Sequence, residues 1–205
     1  MGTEVAGGRS LGRPQDRLTL ASTSPQRQAI LEQLRIPFEV VAPTYVEDDR
    51  PGPTPEDVVR RHAAGKAHSV HRDGRVTLGV DTAVVLDGLI YGKPGDRASA
   101  SHLLATLSGR THAVVSGVCL LGSGLDAAAH EVTEVTFRPL TPDTVDLYLE
   151  SGEWEGRAGG YAIQGLGGRL VRAVEGDYLN VVGLPGALLL DLLERHAPNL
   201  LETRR

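Results

Sequence analysis

Residues 76–86, VTLGVDTAVVL, limit most strongly what this chain can fold into. Apolar and β-branched residues run through the stretch, so it reads as a long buried strand. A strand of that length needs neighbours. Ala113–Leu121 is a second apolar run, and the stretch from about His130 to Leu140 alternates, so the two are expected to pair as a hairpin. Shorter strands are expected at Leu18–Ala21, Ile36–Pro43 and Leu170–Val174. Helical patterns separate them. One starts at Ser24–Pro25, with Ala29, Ile30, Leu31 and Leu34 inward. Another runs from the TPED cap at Thr54 to about Val70, and a third over residues 97–107, with Ala98, Leu103, Leu104 and Leu107 inward. The last two are Thr141–Ser151 and about 186–195. Strands and helices alternate while the long central strands are antiparallel, which predicts an α/β fold with a mixed sheet flanked by helices.

The bulk numbers exclude several classes. A length of 205 residues suffices for one domain with a sizeable core, read here as residues 18–197. The Gly- and Arg-rich residues 1–17 read as a flexible extension and 198–205 as a tail. A net charge of -5 argues against a nucleic-acid binder held by bulk charge. No apolar run approaches the ~18 residues of a membrane span, and the N-terminus lacks the apolar segment of a signal peptide. The expected compartment is the cytoplasm. The single cysteine, Cys119 in SGVCLLG, excludes an internal disulfide and reads as a core residue. The seven histidines are scattered without zinc spacing and read mostly as surface or loop residues.

Some residues point to chemistry. In LASTSPQRQAILEQL a strand hands over to a helix through Ser22, Thr23 and Ser24, with Arg27 in the first turn. Exposed amides, hydroxyls and a guanidinium there suit a phosphate; the plainer alternative is an N-cap with a solvated arginine. Asp81 stands in mid-strand, where burial without a partner costs several kcal/mol. It faces a cleft, pairs with a cation or binds a metal; the bland alternative is a strand-end aspartate pairing a turn. Lys66 in AAGKAHSV and Lys93 in YGKPGD are each ordinary surface lysines, or with Arg27 form one cationic pocket. Glu47 belongs to a solvated acidic loop, or shares a metal with Asp81. AGGYAIQGLGG, residues 158–168, has neither a Walker A nor a dinucleotide spacing. Its glycines permit close approach of backbone to a ligand, and Gln164 could then read a base edge.

Taken together, LASTSPQRQAILEQLRIPFEVVAP, GVDTAVVLDGLIYGKPGD, LSGRTHAVVSGVCL, VTFRPLT, AGGYAIQGLGGRLV and NVVGLP resemble the Maf family of nucleoside triphosphate pyrophosphatases. The likeness runs from about Leu18 to about Leu193 in the family's order and spacing. It implies a bent mixed sheet, two lobes around a cleft and kinship with inosine triphosphate pyrophosphatases. It implies hydrolysis of a nucleoside triphosphate to monophosphate and pyrophosphate, a divalent cation (Mg or Mn) and a homodimer. By the same resemblance Asp81 is the catalytic proton acceptor, and Ser24 and Arg27 bind phosphate. Glu47, Lys66 and Lys93 are the other charged cleft residues, with Glu47 and Asp81 as metal ligands. Gln26, Thr82 and Gln164 fall at positions tied to base choice. Thr82 and Gln164 match the dTTP/UTP branch; Gln26 matches neither that branch nor the 7-methyl-GTP branch. Two other readings stand beside this one: a non-catalytic nucleotide-binding regulator of cell division, and a hydrolase of modified nucleotides.

Overall fold

The computed structural model describes residues 17–47 and 54–202, so the expected N-terminal extension lies, but for Arg17, outside the described residues. The elements are β1 (Leu18–Leu20), α1 (Pro25–Gln33), β2 (Phe38–Val40), α2 (Pro55–Val70), β3 (Val76–Leu86), β4 (Leu89–Tyr91) and α3 (Arg97–Leu107). They continue with β5 (Thr111–Gly122), β6 (Leu125–Phe137), α4 (Pro142–Glu150), β7 (Val171–Glu175), α5 (Tyr178–Val182) and α6 (Gly186–His196), plus short 3-10 turns. The fold is the expected mixed α/β sheet flanked by helices. Its strands lie in the order β2-β1-β3-β5-β6-β7, with β4 also on β3. β2 and β1 run parallel to β3's direction, and all other pairings are antiparallel.

One feature of this topology places the cleft. β5 covers one edge of β3 from Thr77 to Val85. The opposite edge is shared: β1 pairs residues 76–78, and β4 pairs residues 84–86. Between these two short strands the β3 edge around Asp81 and Thr82 has no strand partner among the described residues. The same point divides the core. Leu78 and Val80 pack into a cluster with Leu31, Leu120 and the inner face of α6. Val84 and Leu86 pack into a second cluster with α3, α4 and Phe137. These are the two lobes, and β3 runs through both.

The other face of β3 and β5 is covered by α2. Its Ala63 and Ala67 pack on Cys119 and Leu121, and Val59 packs on Ala83, Val85 and Val115. The helix lies unusually close because two strand residues under it have no side chain. A Cβ on Gly79 would sit 2.0 Å from the Ala63 carbonyl oxygen, and one on Gly117 2.3 Å from that of Val59.

Several local expectations are corrected. DGLI is not all turn: Asp87 and Gly88 both have positive φ, the geometry of a two-residue type I′ hairpin, and Leu89 starts β4. β6 begins at Leu125, not near His130, because Ser123-Gly124 closes a tight hairpin with β5. β2 spans only Phe38–Val40. Ala29 and Ala98 point outward; Ile30, Leu31 and Ala100 carry the inner faces instead. Leu200 is buried in the first core cluster, so packing continues into the segment read as a tail. Cys119 is fully buried, as expected. No helix among the described residues is long and apolar enough to cross a membrane.

Candidate active site

The gap on β3 opens into a cleft of about 970 Å³. Its floor is Asp81 and Thr82. At the Leu78 end stands the strand-to-helix junction, Ala21–Arg27; at the Val84 end stand Ile90, Gly92 and Lys93, which follow β4. α2 contributes Val58, His62 and Lys66, and the glycine-rich segment contributes Gly156, Arg157, Ala158 and Tyr161.

The junction leaves the first backbone amides of α1 without a side-chain cap. Pro25 occupies the first turn of α1, and the Ser24 side chain does not cap the helix. The amides of Gln26 and Arg27 therefore have no intrahelical acceptor. Ser24 Oγ instead donates to Gln26 Oε1 at 3.0 Å, and Ser22 Oγ accepts from the Ser24 amide at 3.2 Å.

Arg27 is not the solvated arginine of the plainer alternative. Its Nε donates to the Gly183 carbonyl (2.9 Å), Nη1 to Ser22 Oγ (3.1 Å) and Nη2 to Thr82 Oγ1 (3.2 Å). Burial lowers its pKa, and the nearby charges of Asp81 and Glu47 oppose that shift; a guanidinium keeps its proton regardless. The Thr82 hydroxyl lies 2.9 Å from Ser116 Oγ and also donates to Gly183 O at 3.3 Å. Thr82 therefore fixes Arg27 in place as well as lining the cleft.

Asp81 is the centre of the charged cluster. Lys66 Nζ lies 2.6 Å from Asp81 Oδ1 and 2.5 Å from Glu47 Oε1, and His62 Nδ1 lies 3.5 Å from Asp81 Oδ2. Burial alone pushes the Asp81 carboxyl up, but the His62 hydrogen bond and the charges of Lys66 and Arg27 outweigh it. They hold the group well below the ordinary aspartate range. The ion pairs of Lys66 and Asp81 are nearly shielded from water, with side chains 12% and 13% exposed, so a lone partner left behind by mutation is costly.

His62 escaped the sequence reading, which left it among surface histidines. It stands one helical turn before Lys66 on α2, and residues four apart share a face. That spacing was a usable signal once Lys66 was singled out. His112 is also buried, against Tyr161, contrary to expectation.

Glu47, His62 and Asp81 each offer one ligand atom, all within 4.8 Å of one another. Two carboxylate oxygens and one imidazole nitrogen fit a Mg²⁺ or Mn²⁺ ion. The ammonium of Lys66 bridges the same two carboxylates. Of the residues singled out from sequence, Ser24, Gln26, Arg27, Glu47, Lys66, Asp81, Thr82 and Lys93 all line the cleft. Gln164 does not. It is exposed beyond the cleft wall, because the buried Tyr161, Ala162 and Ile163 turn the segment into the core just before it.

Fold and cleft together define an α/β protein with a cation-rich pocket beside a metal-competent acidic cluster. The chain belongs to the Maf family: the family description "Maf-like protein" matches residues 17–196. A dTTP/UTP pyrophosphatase of Symbiobacterium thermophilum is 46% identical over 171 residues, covering 82% of this chain and 88% of that protein. Proteins of the same name from Nitratidesulfovibrio vulgaris and Alcanivorax borkumensis are 45% and 44% identical, covering 86% of this chain in each case and 86% and 94% of their own lengths. Among solved structures, a HAM1 protein from Coxiella burnetii aligns with a TM-score of 0.41 and 19% identity over 59% of this chain and 72% of its own. The Staphylococcus aureus Ham1 protein aligns with a TM-score of 0.43 and 15% identity over 59% and 71%.

Proposed function

We infer that this protein hydrolyses nucleoside triphosphates, dTTP and UTP foremost, to the nucleoside monophosphate and pyrophosphate. The single observation that carries the chemistry is the position of Asp81: an ionised carboxylate at the break in the sheet edge, with His62, Lys66, Glu47 and Arg27 around it. The names of the relatives support the substrate class.

In this reading the α-phosphate lies over Asp81. The amides that open α1, together with Ser24 and Arg27, bind non-bridging phosphate oxygens and neutralise charge that grows there in the transition state. A water oxygen attacks the α-phosphorus, the bond to the α–β bridging oxygen breaks, and that oxygen leaves with pyrophosphate. Asp81 orients the water and accepts its proton. A carboxylate held this acidic is a weak base, so it acts first by position and charge. A divalent cation held by Glu47, His62 and Asp81 supplies, when bound, the acidification of water and the charge neutralisation that the carboxylate alone lacks. Lys66 pairs with both carboxylates and offsets their mutual repulsion.

Gln26 on the cleft wall and Thr82 on its floor are assigned to base choice. Gln164 acts only through the glycine-rich segment that also carries Arg157 and Tyr161. Gln26 keeps the hydrolysis of modified nucleotides as a second reading, since it matches neither branch and its amide is held by Ser24. No observation favours the non-catalytic regulator. The cytoplasmic homodimer implied by the resemblance accompanies this reading, and analytical ultracentrifugation tests the stoichiometry.

A turnover screen over ordinary and modified triphosphates with Mg²⁺ and Mn²⁺ is the direct experiment. dTTP and UTP are expected to rank first. Asp81→Asn is expected to lower kcat by ~100-fold or more with the fold retained; normal turnover by the folded variant removes Asp81 from the mechanism.

A further inference from the structure

The cations of the cleft are not equally available to a ligand. Lys66 is answered by Glu47 and Asp81 at 2.5 and 2.6 Å. Arg27 has Nε, Nη1 and Nη2 all engaged by Gly183, Ser22 and Thr82. Lys93, exposed at the cleft mouth, and the half-buried Arg157 also line the cleft, and neither side chain has an ion pair or hydrogen bond among the described residues. Arg157 goes further: its Nε is buried and has no partner. A buried donor left unpaired costs free energy, and a site that pays this cost is poised to recover it from a ligand.

The two free cations are mounted together. Arg157 follows Gly156, whose φ is +67°, and its amide donates to Trp154 O at 3.3 Å. Two residues on, the Gly159 amide donates to Gly92 O at 3.3 Å, next to Lys93. A Cβ on Gly160 would lie 3.4 Å from Pro94. The glycine-rich segment is thus clasped to the turn that carries Lys93, at the end of the sheet gap away from α1.

We propose that Arg157, with Lys93, binds the β,γ-diphosphate of the substrate and the pyrophosphate that leaves. This role rests on the pyrophosphatase reading above. The α-phosphate is met by α1 and Arg27, whose charges are already shared with protein groups. The terminal phosphates carry most of the substrate's negative charge and call for cations without internal partners. A pyrimidine base is uncharged and does not. The planar guanidinium donates two parallel hydrogen bonds to one phosphate, a match that lysine makes only in part.

The test is calorimetric titration of wild type, Arg157→Gln and Arg157→Lys with sodium pyrophosphate and, separately, with dTMP, each beside dTTP turnover and a melting curve. For Arg157→Gln, pyrophosphate affinity is expected to fall roughly tenfold or more, as for loss of a charged hydrogen-bonding partner. Affinity for dTMP is expected to hold, KM for dTTP to rise, and Arg157→Lys to recover part of each loss. Unchanged pyrophosphate affinity overturns the proposal, as does a fall in dTMP affinity in place of it, which puts Arg157 at the base. If Arg157→Gln does not fold, Arg157→Lys carries the same comparison, with a smaller expected loss confined to pyrophosphate. Failure of the pyrophosphatase reading looks different: the wild type itself then turns over no dTTP, while the variants still compare on pyrophosphate binding.

Discussion

At the scale of single residues, two buried imidazoles show how position assigns a role. His62 faces the acidic cluster and belongs to the cleft. His112 sits behind the wall, its Nε2 2.9 Å from Tyr161 Oη and its ring edge-on to Phe137. Burial lowers the His112 pKa to about 4 from an ordinary 6.5. The folded protein therefore resists a proton that the unfolded chain accepts between those values. Stability is full above about pH 6.5 and falls as pH drops toward 4, by about 3 kcal/mol for a shift of this size. Carboxylates held low, such as Asp81 and Glu39, add to the loss at the acidic end of this window, from about pH 5 downward, and continue below it. Urea unfolding at a series of pH values checks it. The wild type is expected to lose stability from pH 6.5 to 4, and His112→Gln to start less stable but show a flatter profile. Equal slopes in the two proteins would assign the loss to other groups.

At the scale of elements, the site depends on how closely α2 lies on the sheet. Gly117 is the cross-strand partner of Asp81, and Gly79 precedes it by two residues on the same face. Both are needed for the helix backbone to approach, which sets Lys66 and His62 against the carboxylate. Gly79→Ala inserts a methyl 2.0 Å from a carbonyl oxygen. The overpacking is expected to cost ~1–3 kcal/mol, and a displacement of about 1 Å at the cluster to cost ~100-fold in activity. Gly122→Ala, whose Cβ would meet only side-chain atoms at 3.5 Å and beyond, is the control expected to do neither. Melting curves and turnover of the two variants decide. Much of this scale was legible in the sequence. β3, α2 and α3 were bounded correctly: an apolar run marks β3, the Thr54–Pro55 cap opens α2, and apolar spacing marks α3. β4 was missed because Leu89 and Ile90 are largely exposed, so no burial pattern marks it. The start of β6 was missed because small alanines hide the alternation. Arg157 and His62 were missed for another reason. Their environment is made by elements distant in sequence, and a buried donor without a partner leaves no trace in a one-dimensional pattern.

At the scale of the whole molecule, the cleft exists because two short strands share one edge of a long one without meeting. β1 enters parallel and stops at Leu20; β4 returns antiparallel and starts at Leu89. What remains open is the middle of β3, so a carboxylate that would be ruinous in a closed sheet faces the cleft and its cations instead. Each lobe keeps its own apolar core, and the substrate is expected to bridge them. The central claim is therefore attack on the α-phosphorus at Asp81, and the site of oxygen incorporation tests it most directly. Hydrolysis of dTTP by the purified protein in water enriched in oxygen-18, read by mass spectrometry, is expected to place the label in dTMP and none in pyrophosphate. Label in pyrophosphate, or release of labelled orthophosphate with dTDP, would contradict it.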